Sequence, residues 1–217
     1  MTKTEIKVYR DLMGANAEWA ERTRKMLSGL GIFMINIIGS PGAGKTTLLE
    51  RTIERLRGRL RVAVLEGDIE TTCDAERLNA LEIPVSQLLT GGGCHLEAKM
   101  VYHALCDLPL SALDMIIVEN VGNLVCPAEF DIGELSKIAV LSVAEGEDKP
   151  LKYPLLFHEA RAVILTKTDL LPHIPYSLPL CLDNLKRVNG AIPVFHVSAL
   201  TGEGLEPWVE WLKGLSA

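Results

Sequence analysis

Short apolar runs recur along most of the chain, separated by polar stretches in which apolar residues return at helical spacing. The runs are IFMINIIG (32–39), RVAVLEGD (61–68), IPVSQLLT (83–90), DMIIVENV (114–121), KIAVLSVA (137–144), RAVILTK (161–167) and IPVFHVS (192–198). They are rich in β-branched residues and mostly unbroken, the pattern of strands buried on both faces. The stretches near 44–57, 74–80, 96–108, 180–189 and 205–215 have helical periodicity. Strand and helix in alternation predict an α/β fold, a mostly parallel sheet with helices on both faces and ligands beyond the carboxyl ends of its strands. Ahead of it, residues 4–29 predict an amphipathic helix with Val8, Leu12, Trp19, Met26 and Leu27 as its apolar positions, stopped by Gly29 and Gly31 and packed on the sheet or on a partner. The chain thus divides into a helical segment, 1–31, and a body, 32–217. Charge and two prolines make 144–160 a loop with at most one short helix.

With 217 residues and 48% hydrophobic content, the chain can build one full core. A net charge of -6 leaves no basic footprint, which sets aside nucleic acid and anionic membrane surfaces as partners. The longest apolar run is interrupted by Asn36 and is too short to span a bilayer; the charged opening MTKTEIKVYR lacks a secretory core. A cytoplasmic location is expected, where five widely spaced cysteines pack, bind metal or react more readily than they form disulfides.

The first run leads into GSPGAGKTT, 39–47, which matches G-x-x-x-x-G-K-[ST] between a strand and a helix. Gly39, Ser40, Pro41, Gly42, Ala43 and Gly44 supply a loop whose amides close on a pyrophosphate; Lys45 neutralises the outer phosphates, Thr46 ligates magnesium and Thr47 adds a phosphate contact. RAVILTKTD ends at the usual place of the N-K-x-D guanine signature, with Thr166 in place of Asn, then Lys167 and Asp169. The Asp169 carboxylate can accept both guanine N–H groups, which adenine does not offer, so GTP is favoured over ATP. Ser198, Ala199 and Leu200, in HVSALTGEGL, would bring backbone amides to the guanine oxygen. Glu119 and Gly122 stand where most GTPases have D-x-x-G, an acid for magnesium and an amide for the γ-phosphate. Asp68 and Asp74 are further magnesium candidates, and Asp68, with Lys45, is assigned to catalysis by orienting the attacking water. No residue announces an arginine finger, so unassisted turnover is expected to be slow.

GGGCHLEAKM, 91–100, sets Cys94 and His95 side by side at what reads as the start of a helix, where a thiolate is favoured. Cys126 follows another strand, so all three reach the same edge of the sheet as the phosphate loop. Two thiolates and an imidazole suit zinc or a d-block neighbour such as nickel, with one position open for water or a second subunit's ligand. Cys126 lies at most about 14 Å of chain beyond Gly122, which couples metal state to nucleotide state. Cys73, Cys106 and Cys181 have no neighbouring ligand at metal spacing and are expected to pack in the core, and His103 and His158 are expected to be structural.

Taken in order, the phosphate loop, Cys94-His95, Glu119-Asn120-Val121-Gly122, Cys126-Pro127 and the late TKTD resemble the hydrogenase nickel-incorporation GTPases, the HypB family of SIMIBI-class P-loop proteins, over residues 32 onward. The resemblance implies a GTPase that forms a homodimer with GTP and holds nickel or zinc at the subunit interface through Cys94, His95 and Cys126. It further implies delivery of nickel to the [NiFe]-hydrogenase large subunit together with a zinc-containing nickel chaperone. Many relatives carry a Cys-rich or His-rich amino terminus, whereas residues 1–31 here hold neither Cys nor His, so no terminal storage site is expected. Rival readings are a zinc-stapled P-loop scaffold, a urease-type nickel accessory GTPase, disfavoured because Cys94 and His95 are adjacent, and a small-molecule kinase, disfavoured because 144–160 contains no Arg for a lid.

Overall fold

The computed structural model describes residues 3–69 and 73–216, with side chains for 14–69 and 74–215. The elements in chain order are α1 (Lys3–Gly29), β1 (Phe33–Gly39), α2 (Lys45–Leu56), β2 (Val62–Asp68), α3 (Cys73–Asn79), β3 (Val85–Leu89), α4 (Ala98–Cys106), β4 (Met115–Glu119), α5 (Cys126–Glu129), β5 (Ser136–Ser142), α6 (Lys149–Lys152), α7 (Pro154–Glu159), β6 (Ala160–Thr166), α8 (Leu178–Val188), β7 (Val194–Val197) and α9 (Leu205–Lys213). The strands form one seven-stranded sheet in the order β3-β2-β4-β1-β5-β6-β7, and every pair is parallel.

Successive side chains of β1 part to opposite faces, as a strand's period of two requires. Phe33, Ile35 and Ile37 pack with Leu48, Leu49 and Ile53 of α2 and Trp208, Val209 and Leu212 of α9. On the other face Met34 packs with Val101 and Leu105 of α4, and Ile38 with Phe157 of α7 and Leu185 of α8. Trp208 is fully buried and its indole N–H donates to Thr52 Oγ1 at 3.1 Å. Truncating it to Ala would cost about 3–5 kcal/mol. The polar break at Asn36 is also fully buried, bonded between Glu134 and Asn120 on either side. Both faces of β1 are covered, so its run reads as continuously apolar, and its carboxyl end opens where connections leave to both sides of the sheet. That is where an open α/β sheet places its ligand.

The amino-terminal helix packs along α4 through Leu27 and its neighbours; Val8 and Leu12 lie outside the described side chains. Two local expectations need correction. Residues 144–160 hold two short helices, α6 and α7, because Pro150 and Pro154 each occupy a first turn, where the missing N–H costs nothing. The helix after the glycines starts at Ala98, four residues beyond Cys94, because the chain bends at Cys94 and His95 and Glu97 is still extended.

Candidate nucleotide and metal sites

The phosphate loop follows from two demands on its backbone. Gly39 ends β1 where a Cβ would lie 2.7 Å from the Val140 carbonyl, and Gly42 and Gly44 take φ of 73° and 88°, a region open chiefly to glycine. The loop then enters α2 with its first amides unspent by the helix, and Lys45 folds back so that Nζ lies 3.5 Å from the Gly39 and Ser40 carbonyls. Thr166 Oγ1 donates to the Ala43 carbonyl at 2.6 Å, and Lys167, itself at φ 60°, donates from Nζ to the Gly42 carbonyl at 2.7 Å. The residue in the Asn position therefore braces the end of β6 against the loop. Gly122 sits flush on the same loop, since a Cβ there would come within 2.8 Å of Pro41 Cγ.

Beside the loop is a cleft of about 490 Å³, lined by Lys45, Thr46, Glu66, Asp68, Asp74 and Glu119 among others. Thr46 Oγ1 donates to Glu119 Oε1 at 2.9 Å. Oxygens of Glu66, Asp68 and Asp74 lie within 4.8 Å of one another, and Glu66 on β2 is paired in register with Glu119 on β4. Burial first, then Glu119, Asp68 and Asp74, push the Glu66 carboxyl up to about 7. Burial does the same to Glu119, also to about 7, although Lys45 and the Thr46 hydroxyl oppose it. One oxygen of each is buried with no hydrogen-bond partner. A hard divalent cation with oxygen ligands fits this set, because it relieves the repulsion and satisfies the orphaned oxygens. Glu66 was missed by sequence reasoning; its signal is the two-residue spacing to Asp68, which aims both along one strand face. Arg77 also lines the cleft, but its guanidinium is bonded to Glu50, Asp74 and Thr47 Oγ1.

At the far end of the loop, Ser198 Oγ donates to Asp169 Oδ1 at 2.6 Å. The Ser198 amide donates to the Glu203 carbonyl and is spent inside its own turn. Ala199 is held by Arg51 Nε on its carbonyl, and Leu200 is exposed.

Cys94, His95 and Cys126 come together within one chain, their ligand atoms within 4.8 Å of one another. The two sulfurs are 2.8 Å apart, and His95 Nδ1 lies 3.5 Å from Cys94 Sγ. His95 stacks on Phe130 with centroids 3.8 Å apart, its Nε2 is buried without a partner, and burial lowers its pKa, so the ring is a neutral donor. Far from being lowered by a helix terminus, the Cys94 pKa is raised, chiefly by the bond to the Cys126 thiol. A tetrahedral ion with metal–sulfur bonds of about 2.3 Å holds two sulfurs about 3.8 Å apart, so binding must spread this pair by about 1 Å. Asn123 Nδ2 donates to the Cys94 carbonyl at 3.1 Å, and Asn120 Oδ1 accepts from the Leu96 and Val121 amides at 3.3 and 3.0 Å. Neither amide was singled out from sequence, where an Asn in a loop carries no sign of its partner. Among the other cysteines, Cys181 is buried as expected; Cys106 is exposed, because α4 turns that position away from the sheet. The side chain of Cys73 lies outside those described. His103 edges Trp19 and Tyr102, and His158 sits exposed beside Glu159.

The family model for the CobW/HypB/UreG nucleotide-binding domain matches residues 33–196. The hydrogenase maturation factor HypB of Azotobacter vinelandii is 49% identical over 208 residues, 96% of this chain and 69% of its own. A crystal structure of HypB from Helicobacter pylori in complex with nickel superposes with a TM-score of 0.89 at 34% identity, covering 93% of this chain and 95% of that one. That of HypB from Archaeoglobus fulgidus gives 0.88 at 34%, covering 94% and 100%. No described helix is long and apolar enough to cross a membrane.

Proposed function

The chain belongs to the HypB family of CobW/HypB/UreG nucleotide-binding proteins, and we propose that it is a GTP-hydrolysing nickel carrier serving [NiFe]-hydrogenase maturation. The observation that carries this reading is the meeting of Cys94, His95 and Cys126 in one cluster, with Cys126 on the same loop as Gly122. Nickel is the cargo, zinc its competitor for the same donors, and the nickel held by the Helicobacter pylori relative supports the choice.

In the nucleotide cleft the loop amides and Lys45 hold the phosphates, and Thr46, Glu119, Asp68 and Asp74, joined by Glu66, hold magnesium. When bound, magnesium neutralises the charge that develops on the phosphates. Asp68 orients the attacking water. Guanine is read by Asp169, pre-set by Ser198, with the Ala199 and Leu200 amides at the guanine oxygen; the Ser198 amide takes no part, being bonded to Glu203. Gly122 meets the γ-phosphate, and its loss relaxes 119–126 and shifts the metal ligands, a population shift that hydrolysis resets. GTP favours a homodimer whose second subunit can close the fourth coordination position. Residues 1–31 serve the 32–217 body as a brace, the setting is cytoplasmic, and the partners are a zinc-containing nickel chaperone and the hydrogenase large subunit.

Two measurements test the reading: GTP turnover, and sedimentation with nickel and a GTP analogue, for wild type and Cys94→Ala. Hydrolysis to GDP and phosphate, with nickel content and nickel-dependent assembly lost in the variant, is expected. Phosphate passed to a small acceptor would point to a kinase, and unchanged metal content in the variant would remove the site. A cluster that binds zinc alone, at one affinity in every nucleotide state, would make it a staple.

A further inference from the structure

We propose that Asn123 is the positioning residue that joins the nucleotide-sensing loop to the metal-bearing segment; this rests on the metal reading above and names the contact that would carry its coupling. Segment 94–98 is held at alternate residues by three side-chain amides. Asn123 donates to the Cys94 carbonyl, Asn120 accepts from the Leu96 amide, and Asn16 of α1 accepts from the Ala98 amide at 2.9 Å. Asn16 is anchored a second time, donating from Nδ2 to the Asp131 carbonyl at 2.7 Å, and Arg24 of the same helix pairs with the Asp131 carboxylate. The segment is therefore fixed at its far end by α1 and held at its near end by the loop that follows β4.

Of the two loop contacts, Asn123 is placed to move a metal ligand. It directly follows Gly122, which abuts Pro41 of the phosphate loop. Its Oδ1 accepts the Val125 amide at 2.9 Å, shaping the turn into Cys126, and this leaves Nδ2 to reach Cys94. One side chain thus touches the backbone on both sides of the thiol pair. Upstream of Cys94 the chain turns through Gly91 and Gly92, at φ of 59° and 98° with open space around them, and Thr90 closes the turn on the amide and carbonyl of Gly93. Downstream, Leu96 is fully buried against Gly67. Cys94 thus lies between a glycine turn and a buried anchor, and Asn123 ties its carbonyl to the loop. A displacement at Gly122 reaches both sulfurs, where without Asn123 it would reach Cys126 alone.

The test uses cobalt(II) as the probe, titrated into the full chain with GDP and again with a non-hydrolysable GTP analogue, and read by thiolate-to-cobalt charge-transfer absorption. Asn123→Ala removes both bonds; Asn123→Asp keeps the acceptor for Val125 and puts a carboxylate oxygen in place of the donor to Cys94. In wild type the cobalt affinity should differ between the two nucleotides. In both variants it should fall by about 10-fold, the usual effect of losing a group that orients a ligand, and the nucleotide difference should shrink to within about twofold. If Asn123→Asp keeps the wild-type difference, the bond to Cys94 carries no coupling and the proposal is overturned. A wild type with one cobalt affinity in both nucleotides would overturn the coupling itself, and the role of Asn123 with it. Thermal melting of both variants accompanies the titration, and the Asp variant, with its loop bond retained, carries the test should the Ala variant melt early.

Discussion

The phosphate cleft and the thiol–imidazole cluster lie at one edge of the sheet but are built in opposite ways. In the first, Lys45, Thr46 and Glu119 are 8%, 7% and 3% exposed, and the surrounding loop is held by backbone constraints and by Thr166 and Lys167. In the second, Cys94 is exposed, it follows a run of glycines, and a single side-chain amide, that of Asn123, ties its backbone to the loop that carries Cys126. On the proposed reading, a site that recognises a fixed anion would gain from amides that need not reorganise, and a site that gives up its ion would gain from ligands that can part.

The largest effect should come from the rigid site. Lys45→Ala removes the buried ammonium and should weaken a GTP analogue by about 2–5 kcal/mol, measured calorimetrically, while cobalt binding to the nucleotide-free protein changes little. Equal loss of both ligands would mean that the two regions are one site. Next, Cys126→Ala should lower cobalt affinity by at least about 10-fold and roughly halve the charge-transfer band, since the Cys94 thiolate remains, with smaller effect on the GTP analogue. Asp169→Asn, which swaps an acceptor for a donor opposite guanine, should weaken GTP by about 1–3 kcal/mol; an equal loss for ATP would show that the carboxylate does not read the base.

The titrations differ in sign of use. Glu66 and Glu119 have folded values near 7, above the ordinary range, so in protein stripped of nucleotide and divalent metal their contribution to stability is complete below about 4.3 and is lost as pH rises through 7. The chelated protein should therefore melt lower at pH 8 than at pH 6, and Glu119→Gln should flatten that dependence by a few degrees, the order expected for about 1 kcal/mol in a chain of this size. At the other cluster protons compete with metal for thiols, one of them already raised, so cobalt affinity should fall as pH drops. A flat response between pH 8 and about 5 would count against Cys and His ligation. The smallest effect is expected at Arg24→Met, a half-exposed pair with Asp131 worth about 1 kcal/mol or less in thermal stability.

The comparison also marks how far the chain could be read before folding. Strands and the main helices were legible because burial on two faces leaves unbroken apolar runs, and the phosphate loop because its glycines, lysine and threonine are adjacent in sequence. Short helices such as α5 and α6 were not, since four residues carry no periodicity and are held by their surroundings. The ionisation of Cys94 was misjudged for a related reason: its hydrogen-bond partner is Cys126, 32 residues away, and not the helix that follows it.

What the sequence determined by itself, then, is every feature made by neighbours along the chain: the alternating βα layers, the anion-binding loop, the pairing of Cys94 with His95, and the step from Gly122 to Cys126. Only the tertiary structure decided what crosses the sheet. It set Glu66 beside Glu119, turned Thr166 onto the phosphate loop, brought the two sulfurs within 2.8 Å and gave Asn123 the Cys94 carbonyl. The reason is physical: local propensity and burial act through adjacent residues, whereas the distance between two distant side chains is set by strand order and register, which no short stretch contains.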